Sequence, residues 1–133
     1  MRIVLDSCLL LAFLRKEKNW QKVKKYFLEA KKGKHDIFLC WINLVEVYYK
    51  VYREKGEIGA DKALSFIKKL PLHLIIPDER LYLEAGRIKG FYSIALADCF
   101  VVALACQFEA NILTGDPEFK KVSEIAKVVW LRK

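Results

Sequence analysis

The sequence predicts an α/β fold, a mostly parallel sheet covered on both faces by helices. Three observations predict it. Short runs of branched apolar residues alternate with longer amphipathic segments along the whole chain. The short runs are continuously apolar, as in strands buried on both faces. The 133 residues suffice for one domain with a sizeable core and are too few for two ordinary ones, so a single domain over residues 1–133 is expected.

Residues 2–5 form the first expected strand, and residues 8–14 read better as a helix. Asp6 falls between them, at the carboxyl end of a strand, where open parallel sheets place their ligand sites. The alternative is that Asp6 or Ser7 simply caps the following helix. Trp20, Val23, Phe27 and Ala30 recur at spacings of three and four with lysines opposite, which predicts an amphipathic helix stopped by Gly33. Residues 37–40 make a compact second strand. A long helix follows over about 42–55, ended by Gly56, and residues 57–60 make a short connection. Another helix then runs to about residue 70 and stops at Pro71. Residues 72–76 form a third strand bounded by prolines, and a helix over about 78–89 closes at Gly90. A loop at 91–93 enters the least polar helix, about 94–108. Residues 110–113 form a strand, 116–124 a short helix and 128–131 the last strand. No internal repeat, low-complexity tract or linker interrupts this series.

The formal charge is +8, and residues 15–34 alone carry nine basic side chains against Glu17 and Glu29. Such a segment suits a polyanion whose phosphates are held without being read for sequence, with Arg15, Lys16, Lys18, Lys22 and Lys25 as candidate backbone contacts. The alternative is an ordinary solvated helix face. No apolar run approaches bilayer length, and the N-terminus leads directly into a strand, so a cytoplasmic protein without membrane contact is expected. Cys8, Cys40, Cys99 and Cys106 lie in apolar settings without zinc-site spacing and are expected as buried free thiols. His35 and His73 suggest no ligand pair.

Three further acids stand out. Glu46 lies early in its helix among apolar residues, although it also has Lys50 as an ordinary i, i+4 partner. Asp98 sits in a helix apolar on every side, which predicts an interior position and either an N-cap or a functional role. Asp116 precedes Pro117, the pattern of an N-cap and first helical residue, and also follows an apolar strand. All four acids are positioned to converge on one rim of the sheet. Carboxylates about 5 Å apart repel by roughly 3 kcal/mol at an effective dielectric of 20, so such a cluster requires protonation or a bound cation. Hard oxygen ligands suit Mg²⁺ or Mn²⁺, which activate water and neutralise phosphodiester charge.

In order, Val4-Leu5-Asp6-Ser7-Cys8, Asn43-Leu44-Val45-Glu46-Val47, Leu96-Ala97-Asp98-Cys99 and Thr114-Gly115-Asp116-Pro117-Glu118-Phe119 resemble the motifs of the PIN-domain nucleases, especially VapC-type toxins of toxin–antitoxin pairs. The resemblance runs nearly the full length. It implies a three-layer α/β/α sandwich and a Mg²⁺- or Mn²⁺-dependent endoribonuclease acting on RNA. It further implies Asp6, Glu46, Asp98 and Asp116 as the acidic, metal-binding site, with Ser7, Asn43 and Thr114 as supporting polar groups. A homodimer inhibited by a small antitoxin protein is the implied assembly. One departure is Ala95, where many relatives carry Ser or Thr three residues before the third acid; the nearest upstream hydroxyl is Ser93. A non-catalytic RNA-binding or assembly module with the same fold is the alternative function that Ala95 favours.

Overall fold

The computed structural model describes residues 1–131. Five strands, β1 (Arg2–Leu5), β2 (Asp36–Cys40), β3 (His73–Ile75), β4 (Asn111–Thr114) and β5 (Val128–Trp130), form one sheet in the order β3-β2-β1-β4-β5. Every pairing is parallel. Parallel neighbours need a crossover, and the chain supplies helices for it.

Two cores lie on opposite faces of the sheet, because successive strand residues point to opposite sides. Ile3, Leu5, Ile37, Leu39 and Leu113 pack with helices α1 (Ser7–Leu14), α2 (Trp20–Lys31) and α3 (Trp41–Lys68). Val4, Cys40 and Ile112, one step out of phase, pack with α4 (Glu79–Phe91) and α5 (Leu96–Gln107) and with Phe119 and Val122. The result is the expected three-layer α/β/α sandwich. In α5, seven consecutive residues from Cys99 to Ala105 are buried. Its apolar character on all sides thus reflects a helix buried between the sheet and α4, the element with which it makes its most extensive packing.

Several boundaries differ from the sequence expectation. The break at Gly56 is confined to one residue with φ 75° and ψ −175°, and α3 resumes at once without a connector at 57–60. That conformation is essentially restricted to glycine, which lets the chain kink without a loop. Helix α4 continues through Gly90 to Phe91. Residues 117–122 form a 3₁₀ turn rather than a helix reaching 124. Ala95 is the N-cap of α5, so that helix begins at Leu96 instead of 94. Cys40 and Cys99 are buried as expected, whereas Cys8 and Cys106 are exposed. A cysteine in an apolar run reads as core, but the helix phase turns these two outward. Among the described residues no single helix is long and apolar enough to cross a membrane.

The strand order fixes where a site can form. The chain leaves β1 toward β2 and β3 on one side and returns to β4 and β5 on the other, so the connections diverge between β1 and β4. In open parallel sheets, the crevice at the carboxyl ends beside such a switch point is the ligand site.

Candidate active site

At that switch point, Leu5 is in register with Leu113, and the Asp6 N–H donates to the Leu113 carbonyl at 3.2 Å. This places Asp6 beside Thr114. Asp6 is 0 % exposed. It occupies the N-cap position of α1 without making the capping hydrogen bond. Instead, the Thr114 hydroxyl donates to Asp6 Oδ2 at 2.7 Å while Asp6 Oδ1 is buried with no hydrogen-bond partner. An unpaired buried carboxylate oxygen costs several kcal/mol unless it is protonated or meets a cation.

Thr114 Oγ1 also accepts from the Asp116 backbone N–H at 2.9 Å, so one buried hydroxyl ties two acids together. Asp116 Oδ1 in turn accepts from the Glu118 N–H at 2.9 Å, which makes Asp116 the N-cap of the 3₁₀ turn. Asp116 is thus the N-cap its Pro117 neighbour predicts, and it follows β4 at the carboxyl rim of the sheet. Gly115 allows the close passage between them: a Cβ there would lie 2.7 Å from the Leu131 carbonyl oxygen.

Strand β2 runs directly into α3, whose first turns carry Asn43 and Glu46. Asn43 is fully buried and donates through Nδ2 to the Ala97 carbonyl at 3.1 Å, joining α3 to the first turn of α5 next to Asp98. Glu46 Oε1 accepts from the Ser7 hydroxyl. Among the described residues it forms no ion pair with Lys50, so the simple i, i+4 account of Glu46 does not hold. Asp98 is half-buried in the first turn of α5, shallower than its apolar flanks suggest, because this turn is still at the surface: Leu96 is exposed and the buried run begins only at Cys99.

The electrostatics bind these acids into one cluster. Burial pushes the Asp6 carboxyl up from 3.8 to about 6; the Thr114 hydrogen bond and the nearby Cys8 backbone N–H oppose the shift, and the Asp116 and Glu46 charges add to it. Asp98 rises to about 7, first through burial and then through the charges of Asp6, Asp116, Glu46 and Glu118. Asp6 thus feels Asp116 and Glu46, and Asp98 feels the other three acids nominated by the sequence. Without a cation the centre retains protons near neutral pH, and a hard divalent ion would replace them.

The closest grouping of donors includes one residue that sequence reasoning missed. Single ligand atoms of Asp6, Cys8 and Asp116 lie within 4.8 Å of one another, with Asp98 and Glu46 outside this trio. Cys8 is exposed as a residue, yet partial desolvation of its thiol, with the Asp6 charge, pushes it up to about 12, against the pull of Lys50. The thiol is accordingly no nucleophile at neutral pH. Its position two residues after a strand-end acid was the available signal.

The basic residues are spread out. Arg15 is ion-paired with Glu54. Lys16 lies with its Nζ 5.6 Å from the Trp20 ring centroid. Lys22 and Lys25 are exposed on α2. Lys18 lines a cleft of about 460 Å³ together with Trp20, Gly115, Lys120 and Trp130, immediately beside Asp116.

A family model described as PIN domain matches residues 3–125. No curated protein matches the sequence. Among solved structures, the fold is similar to VapBC2 from Rickettsia felis bound to a DNA fragment from their promoter, at TM-score 0.75 and 18 % identity, covering 97 % of this chain and 98 % of that one. It is also similar to Mycobacterium tuberculosis VapC20, described as a Sarcin-Ricin loop cleaving toxin, at TM-score 0.74 and 13 % identity, covering 98 % and 99 %. FitAcB from Neisseria gonorrhoeae matches at TM-score 0.71 and 19 % identity, covering 95 % of both chains.

Proposed function

Since this chain belongs to the PIN-domain family, we propose that it is a metal-dependent endoribonuclease, the toxin of a toxin–antitoxin pair. The observation that carries this reading is Asp6 at the switch point of the sheet, buried with one carboxylate oxygen unpartnered, its pKa raised by burial and by the charges of Asp116 and Glu46, while that of Asp98 is raised by burial and by the charges of all three. Such a donor set fits Mg²⁺ or Mn²⁺, held by Asp6, Asp98 and Asp116, with Glu46 binding directly or through water. When bound, the ion supplies an activated water and charge neutralisation for in-line displacement at a phosphodiester.

The chain's own groups prepare that chemistry. Thr114 fixes the Asp6 carboxyl and the Asp116 backbone at once. Ser7 holds Glu46, and Asn43 anchors the turn that carries Asp98. Lys18 and Lys120 flank the cleft next to Asp116 and attract the RNA backbone, while Trp20 and Trp130 offer apolar faces in the same cleft. The partner is a small antitoxin protein, and the homodimer implied by the family resemblance is an expectation that sedimentation would measure.

The test is cleavage of a mixed RNA pool by the purified protein with Mn²⁺, with Mg²⁺ and with chelator. Cleavage that requires metal and disappears in a folded Asp98→Asn variant supports the reading. RNA binding without cleavage under every condition would replace it with the non-catalytic RNA-binding module.

A further inference from the structure

We propose that this centre also takes thiophilic divalent ions, Zn²⁺ or Cd²⁺, with Cys8 Sγ as a donor alongside the Asp6 and Asp116 carboxylates. The inference deepens the metal-centre reading and rests on it. Donors around one tetrahedral zinc ion, bound at about 2.0–2.3 Å each, stand about 3.3–3.8 Å apart. The Asp6, Cys8 and Asp116 ligand atoms already lie within 4.8 Å of one another, so a single ion gathers them through side-chain shifts of about 1 Å.

A second observation is independent of that spacing. Asp6 is wholly buried, Thr114 engages its Oδ2, and its Oδ1 has no hydrogen-bond partner. One carboxylate oxygen of the trio is therefore left for a ligand. Asp116 commits Oδ1 to the Glu118 N–H, which leaves its other oxygen. Cys8 is exposed, so an ion reaches the thiol from solvent. Its place in the trio follows from local geometry: Asp6 is the N-cap of α1 and Cys8 stands in the first helical turn.

The chemistry separates two classes of ion. Mg²⁺ is hard and takes oxygen donors, whereas Zn²⁺ and Cd²⁺ accept a thiolate readily. On binding, the Cys8 S–H bond breaks, a sulfur–metal bond forms and the proton passes to solvent. The soft ion occupies the same carboxylates as the activating ion and competes with it, so Cys8 makes the site a point of inhibition by zinc-class metals.

The test is titration of the metal-free protein with Cd²⁺, read as the ultraviolet thiolate-to-cadmium charge-transfer band, in the wild type and in Cys8→Ser, Cys106→Ser and Asp6→Asn. Mn²⁺ and Mg²⁺ binding is measured by calorimetry in parallel. The expected result is a saturable band with one equivalent of Cd²⁺ that survives Cys106→Ser and is lost in Cys8→Ser. Cd²⁺ affinity should fall at least about tenfold in Cys8→Ser and in Asp6→Asn, and bound Cd²⁺ should displace Mn²⁺. A band that persists unchanged in Asp6→Asn would mean capture by a lone cysteine and would overturn the proposal. No band, with Mn²⁺ binding intact, would refute the role of Cys8 and leave the nuclease reading standing. Absence of both Cd²⁺ and Mn²⁺ binding would remove both.

Discussion

In the metal-free protein, Asp6 should oppose folding at neutral pH, and Asp6→Asn should relieve that cost. Its carboxyl titrates at about 6 in the fold against an ordinary 3.8. The folded chain thus holds this proton more tightly than the unfolded chain. The resulting stabilisation is complete well below pH 3.8 and is lost as pH rises through about 6, a total of about 3 kcal/mol from this one group. Asparagine keeps the shape and an acceptor for the Thr114 hydroxyl, but carries no charge to desolvate. The assay is urea unfolding in chelator at several pH values, with the difference between variant and wild type as the readout, since other titrating groups then cancel. That difference should grow by about 2 kcal/mol in favour of Asp6→Asn between about pH 4 and about pH 8, or about 1–2 M in urea midpoint. Adding Mn²⁺ at the higher pH should stabilise the wild type and leave the variant unmoved. A difference that stays flat with pH, or a variant less stable than the wild type at pH 8, would refute the reasoning.

Two other perturbations test the supports of the site. Thr114→Val removes the hydroxyl that serves both Asp6 Oδ2 and the Asp116 N–H, and should cost about 1–3 kcal/mol in stability by urea unfolding and about 10–100-fold in metal affinity by calorimetry. Ala95→Ser supplies a hydroxyl at the N-cap of α5, where no side chain caps the helix, and should raise stability by about 0.5–2 kcal/mol, measured as a higher Tm.

Ala95 also illustrates what the sequence could and could not convey. Its position three residues before Asp98 marked a missing hydroxyl, and the structure explains the position as the cap of α5. The parallel sheet was legible because short apolar runs alternate with helical segments, and because β1 runs into Asp6 and β4 ends at Thr114 just before Asp116, both acids could be placed at carboxyl ends before their neighbours were known. The Thr114 bridge between them spans 108 residues, and local periodicity carries no information about such a contact. The same holds for the Asn43 bond to Ala97, made across 54 residues. Cys8 was misread because an apolar run conceals which of its members the helix turns outward. At Gly56 the sequence signal was sound, but a helix break and a helix end leave the same glycine signature.

The proposed nuclease requires one metal centre built from the ends of β1 and β4 and the first turns of α3 and α5. A crystal structure of the Mn²⁺-soaked protein, with anomalous scattering recorded at the manganese edge, tests it most directly. An anomalous peak within coordination distance of Asp6 Oδ1, bounded by Asp98 and Asp116 and lost in Asp6→Asn, is the predicted result. At saturating Mn²⁺, a rim without a peak and with Asp6 Oδ1 still unpartnered would contradict it.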